Sequence, residues 1–158
     1  MNDSGPPTLG RQLAMAAKAT RAEFDTRLAE VGGSLTAFVV LRLADEAAGG
    51  LELSQRQLAE RMGVEAPTMV RHLDRLEKEG LIERRRDARD RRVTRITVTP
   101  AGSQRLAVLR KVADAMDVEI LTLLGPETYR GLASALDQLQ EHMTQLAGER
   151  KSHAHAVL

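Results

Sequence analysis

The chain contains no cysteine, and only three of its 158 residues, Phe24, Phe38 and Tyr129, are aromatic. The first absence excludes disulfides, thiolate metal sites and thiol-based peroxide sensing. The second leaves too few rings for a stacking platform on single-stranded nucleic acid. No apolar run approaches the roughly twenty residues of a membrane span. The opening MNDSGPPTLG is polar and lacks the hydrophobic segment of an export signal, so no membrane and a cytoplasmic location are expected. A Gly-rich phosphate loop, an HExxH pair, a nucleophile elbow and an isolated acid pair are all missing, so neither catalysis nor a cofactor is expected.

Net charge is also small, at +1, but it is unevenly placed. Residues 54–95 carry twelve Lys and Arg against eight Asp and Glu, which leaves the remainder of the chain net acidic. A basic patch on a near-neutral chain suits a polyanionic partner. At this length one domain with helical extensions is expected, and a second catalytic domain is not.

That patch lies in Ser54–Gly102, reading SQRQLAERMGVEAPTMVRHLDRLEKEGLIERRRDARDRRVTRITVTPAG. Ser54 with Gln57 three residues on has the spacing of a capping box, and Leu58, Ala59 and Met62 follow at helical steps before Gly63. A second helix begins at Ala66 or Pro67, where a missing amide costs nothing. Met69, Val70, Leu73 and Leu76 form its apolar stripe and Gly80 its stop. Thr68, Arg71, His72 and Arg75 lie on the other side, a polar edge of the kind that meets base edges in a major groove. A solvated helix face explains the same residues equally well.

Leu81–Arg86 and Arg95–Val98 read as two strands of a hairpin, and residues 84–95 hold seven arginines against Asp87 and Asp90. A hairpin tip can enter a minor groove, whose potential favours arginine, while arginines nearer its base face phosphates.

LAERMGV, PTMVRHLDRLEKEGLIER and DRRVTRITVTPAG, at their intact spacing, resemble the MarR-type winged helix-turn-helix regulators, most closely the SlyA-like members. The resemblance implies a mainly α fold with a small β wing, a winged helix-turn-helix domain with N- and C-terminal dimerisation helices. By position, Arg71 matches the recognition-helix arginine with Pro67 and Thr68 at its start, and Asp90, Arg91 and Arg92 match the wing signature. Arg91 would then enter the minor groove, while Asp90 and Arg92 pair to hold the wing. The full set expected at DNA is Ser54, Pro67, Thr68, Arg71, His72, Arg75, Arg84, Arg85, Arg86, Arg89, Arg91 and Arg92. The implied function is a dimeric, sequence-specific regulator, more often a repressor, on a near-palindromic double-stranded DNA operator. The family often releases DNA on binding a small aromatic or anionic effector. Arg21, Phe24 and Arg42 could line such a site but need no such role, so its residues stay unassigned. Some relatives sense oxidants through cysteine, which this chain lacks. The alternative is a winged-helix module that binds protein or RNA.

In chain order, residues 1–8 read as a disordered leader, and 9–33 and 100–148 as dimerisation helices. Residues 34–99 read as the DNA-binding lobe and 149–158 as a flexible tail. The first helix carries Leu13, Ala17, Phe24, Leu28 and Val31 on one side and stops at Gly32-Gly33. Ser34 caps a buried support helix, Gly49-Gly50 ends it, and Leu51–Leu53 can add a third strand. Two long helices then follow, broken at Gly125-Pro126. Leu106, Leu109, Ala113, Met116, Ile120 and Leu123 form one seam, and Tyr129, Leu132, Leu136, Leu139, Met143 and Leu146 another. A helix of about 24 residues spans some 36 Å, more than one small lobe covers, so a homodimer is expected. His142, His153 and His155 lack the cysteine or carboxylate partners of a metal site, and none is expected.

Overall fold

Caps and glycine stops, local features that the sequence displays directly, delimit most helices in a computed structural model that describes residues 8–47 and 52–156, with side chains to 150. Helix α1 (Leu9–Glu30) starts where the Thr8 hydroxyl accepts from the Arg11 amide at 3.4 Å. Helix α2 (Leu35–Glu46) starts where Ser34 Oγ accepts from the Ala37 amide at 3.2 Å. Helix α3 (Gln55–Met62) has the full capping box: Ser54 Oγ accepts from the Gln57 amide, and Gln57 Oε1 accepts from the Ser54 amide at 2.9 Å. Gly63 ends it at φ 63°, a left-handed conformation that glycine adopts without strain. Helix α4 (Ala66–Lys78) has Pro67 in its first turn and Gly80 just beyond its end.

Strands β1 (Ile82–Arg86) and β2 (Thr94–Val98) pair antiparallel, with Ile82 opposite Val98 and Arg84 opposite Ile96. Leu51 and the Gly49-Gly50 pair lie outside the described residues. Among those described, the expected third strand reduces to one bridge, Ser54 to Arg95, and an Ile96 amide donating to the Leu53 carbonyl at 3.0 Å. Helix α5 (Pro100–Leu124) begins at Thr99, whose Oγ1 accepts from the Gly102 amide and donates to the Gly80 carbonyl at 2.6 Å. Gly102 is buried there, and a Cβ on it would stand 2.0 Å from the Leu81 carbonyl oxygen.

The core joins one or two side chains from every element so far named: Leu28, Val40, Leu41, Leu58, Met69, Leu73, Ile82, Ile96, Leu106 and Leu109 are almost wholly out of water. Burying each contributes about 1.5–3 kcal/mol. This corrects the reading of α5 as a dimer seam along its whole length, because Leu106 and Leu109 belong to the same core as α4 and the hairpin. The first of two units accordingly runs to Asp114 and the second is residues 115–158.

In the second unit α5 ends at Gly125, at φ 75°, and helix α6 (Pro126–Ala156) follows. The apolar repeat of α6 stands in solvent: Leu132, Leu136, Leu139, Met143 and Leu146 are all exposed. The helix continues past Gly148, where the sequence reading has a tail, since one helical glycine costs only about 1 kcal/mol. Residues 1–7 of the expected leader and the side chains of His153 and His155 fall outside the described part of the chain. Among the described residues no helix is long and apolar enough to cross a membrane, and no group of three His, Asp or Glu side chains is placed to hold a metal.

Candidate nucleic-acid interface

Helix α4 buries Met69, Leu73 and Leu76, which turns Pro67, Arg71, Asp74, Arg75 and Lys78 to solvent. Arg71 has a terminal nitrogen 3.3 Å from the Thr68 hydroxyl and, among the described residues, no carboxylate partner. Its charge is thus held in place but not neutralised. Arg75 differs, since its Nε donates to Glu79 at 2.9 Å. His72 departs further from the expected edge: it is half-buried and lines a cavity of about 190 Å³, together with Arg75, Glu79, Ser34, Arg105 and Leu109. Of the four residues read as one edge, Arg71 and Arg75 are thus exposed and Thr68 and His72 half-buried, and His72 and Arg75 also line the cavity.

Ser54, also expected at DNA, is 8% exposed and its Oγ is engaged in the α3 cap.

The hairpin turn is built on Asp87. Its carboxylate accepts from Arg95 Nε at 2.7 Å and from the amides of Arg89 and Asp90 at 2.8 and 3.0 Å. The Arg95 hydrogen bond and then the two amides hold its pKa down at about 2, from 3.8. Arg95 also donates to the Glu52 carbonyl at 2.7 Å, tying the turn to the segment before α3. Asp90 accepts from the side chain and amide of Arg92, which lowers its pKa, and the pair closes the tip. Neither Asp87 nor Arg95 is among the expected site residues, yet this pair shapes the wing. Their eight-residue spacing across a hairpin was the only available sign of it.

Most of the arginine density is neutralised internally. Arg84 pairs with Asp74 and Glu77, Arg85 with Glu83, Arg92 with Asp90 and Arg95 with Asp87. Arg84, expected to face phosphate, has its guanidinium engaged by two carboxylates from α4. Arg86, Arg89 and Arg91 have no carboxylate partner among the described residues, and Arg86 donates only to the Arg91 carbonyl at 3.1 Å. All three are exposed. Arg21, Phe24 and Arg42 do not line this cavity: the exposed Arg21 pairs with Asp25, the Phe24 ring meets Phe38 edge-on at 5.7 Å, and Arg42 lies over Phe38.

A helix pair with an exposed, unneutralised arginine on its second helix, followed by a hairpin with cations at its tip, defines a winged helix-turn-helix module. A family model described as the MarR family matches residues 34–94. Among solved structures, the transcriptional repressor CouR bound to a 23-mer DNA duplex is 30% identical, over 84% of this chain and 92% of that one, with a TM-score of 0.77. The transcriptional regulator PA3341 is 32% identical over 87% and 99%, with a TM-score of 0.73. The transcriptional regulator BldR from Sulfolobus solfataricus is 27% identical over 85% and 93%, with a TM-score of 0.76. The chain belongs to the MarR family of winged helix-turn-helix transcriptional regulators.

Proposed function

We propose that the protein is a cytoplasmic homodimeric repressor that reads a near-palindromic DNA operator, with α4 in a major groove and the tip of the wing in the neighbouring minor groove. The observation that carries this is the selective sparing of four guanidinium groups. Arg71 on α4 and Arg86, Arg89 and Arg91 on the wing stay unneutralised, while every other wing arginine is paired. Arg71 suits a bidentate bond to guanine, and a narrow minor groove attracts an inserted arginine such as Arg91. That the similar repressor CouR is solved on a DNA duplex supports the same use of the fold here.

The dimer reading rests on the apolar repeat of α6, whose five large side chains are exposed. The cavity beside His72 and Arg75 is where a small anionic effector would act. A ligand held by Arg105 and Arg75 there would touch the reading helix, and any preference for a helix position unsuited to DNA would shift the population away from binding.

Selection of a randomised duplex pool with the purified protein tests the reading. Expected is a near-palindrome with half-sites about 34–36 Å apart, one helical turn. Enrichment of no sequence, or a preference for RNA competitor, would contradict it.

A further inference from the structure

Among the paired wing arginines, Arg84 and Arg95 are largely covered, at 23% and 17% exposed, against 67% for Arg85 and 92% for Arg92, and of the four only Arg84 pairs with carboxylates of α4. The Arg84 Nε donates to Glu77 Oε2 at 2.9 Å, and one terminal nitrogen reaches both Glu77 Oε2 and Asp74 Oδ1 at 2.6 Å. The second oxygen of Glu77 accepts from the Arg84 backbone amide at 3.2 Å. One α4 carboxylate thus holds both the main chain and the side chain of a single β1 residue. Asp74 and Glu77 are three apart, on one flank of the helix that carries Arg71 one turn earlier. The hydrogen bonds to Arg84 hold the Glu77 carboxyl below its usual range, so the group is fully charged near neutrality.

A guanidinium is planar and its donors form a rigid fork, so bridging two carboxylates fixes an angle as well as a distance. We infer that Arg84 is a positioning residue: with Asp74 and Glu77 it clamps the first strand of the wing to the reading helix, so that Arg71 and the wing tip meet the duplex at a fixed separation. The inference rests on the DNA-reading function proposed above.

Base contacts in two neighbouring grooves require both readers in register at once, and a loose joint between them must be ordered on binding. Phosphate contacts tolerate misplacement, because the backbone offers charge everywhere. Losing the clamp should therefore weaken binding to a selected sequence and spare binding to an arbitrary one. The sign of the effect is informative. Glu77 is an anion on a helix set against a polyanion, so as an independent charge its removal should tighten binding to any duplex.

The test uses the full chain, a duplex enriched by the wild-type protein from a randomised pool, and an unrelated duplex of equal length. Glu77→Gln is expected to weaken the selected duplex about tenfold, the scale of one charge-assisted hydrogen bond. Its binding to the unrelated duplex should be unchanged or tighter. Arg84→Met combined with Glu77→Gln should be no weaker on the selected duplex than the worse single variant, since both remove one interaction. Glu77 is 38% exposed, so Glu77→Gln is the milder of the two changes, and melting curves establish that each variant is folded. Selected-duplex binding by Glu77→Gln as tight as wild type, or tighter, would overturn the clamp. So would additive losses in the double variant, the signature of a separate Arg84 contact to phosphate. If the wild-type protein enriches no duplex at all, it is the DNA-reading function that fails, and the clamp falls with it.

Discussion

At the scale of single residues, what matters most is which charges remain unpaired. Arginines 84, 85, 92 and 95 look equivalent to 86, 89 and 91 in the sequence, because pairing depends on which strand face each occupies and which carboxylate waits there. The partners of Arg84 are seven and ten residues earlier, on another element. No local pattern announces them. The Asp87–Arg95 pair is similar, and it carries a pH consequence. The folded pKa of Asp87 is depressed to about 2 from 3.8, so its contribution is complete above about pH 4 and is lost as pH falls through 2. The side-chain carboxyl carbon of Asp87 should therefore titrate with a midpoint near 2 by NMR, while the amides of Arg89 and Asp90 lose their shift dispersion over the same interval. A midpoint at the ordinary carboxylate value would show that the wing turn is not held by this group.

At the scale of elements, the helices were legible because caps and stops are local chemistry. Ser34, Ser54, Gly63 and Pro67 act within a few residues of themselves, and the structure has each where the sequence indicates. The hairpin was legible for the same reason, from β-branched alternation at Ile96–Thr99. Packing partners were not. An apolar seam at three- and four-residue steps looks the same whether it meets its own lobe or another chain, and so Leu106 and Leu109 were assigned to the wrong neighbour. Gly102 shows the same limit, since only the folded chain reveals that the start of α5 lies against the Leu81 carbonyl. Gly102→Ala should force these backbones apart at a cost of about 1–3 kcal/mol. At about 2–4 °C per kcal/mol for a chain of this size, the melting temperature should fall by several degrees. An unchanged or raised melting temperature would show that the close approach is not required.

At the scale of the whole molecule, an apolar repeat on α6 is exposed while the first unit has a buried core of its own. Leu132, Leu136, Leu139, Met143 and Leu146 on one helix form an apolar face that a soluble monomer rarely displays. In the proposed homodimer a second copy would cover this face and also supply the second reader that a palindrome needs. Leu136→Glu with Leu139→Glu should convert a dimer into a folded monomer in sedimentation at micromolar concentration and abolish tight operator binding. A wild-type monomer, or a dimer untouched by these changes, would count against the assembly.

The central claim is that Arg71 and the wing tip read adjacent grooves of one duplex, and dimethyl sulfate interference on a selected operator tests it most directly, since methylation marks guanine N7 in the major groove and adenine N3 in the minor. The account predicts two major-groove patches one helical turn apart with minor-groove patches flanking them. Arg71→Ala should erase the major-groove signals and weaken binding by about 1–3 kcal/mol, and Arg91→Ala should erase only the minor-groove signals. Interference confined to one groove, or a pattern that neither substitution alters, would contradict the account.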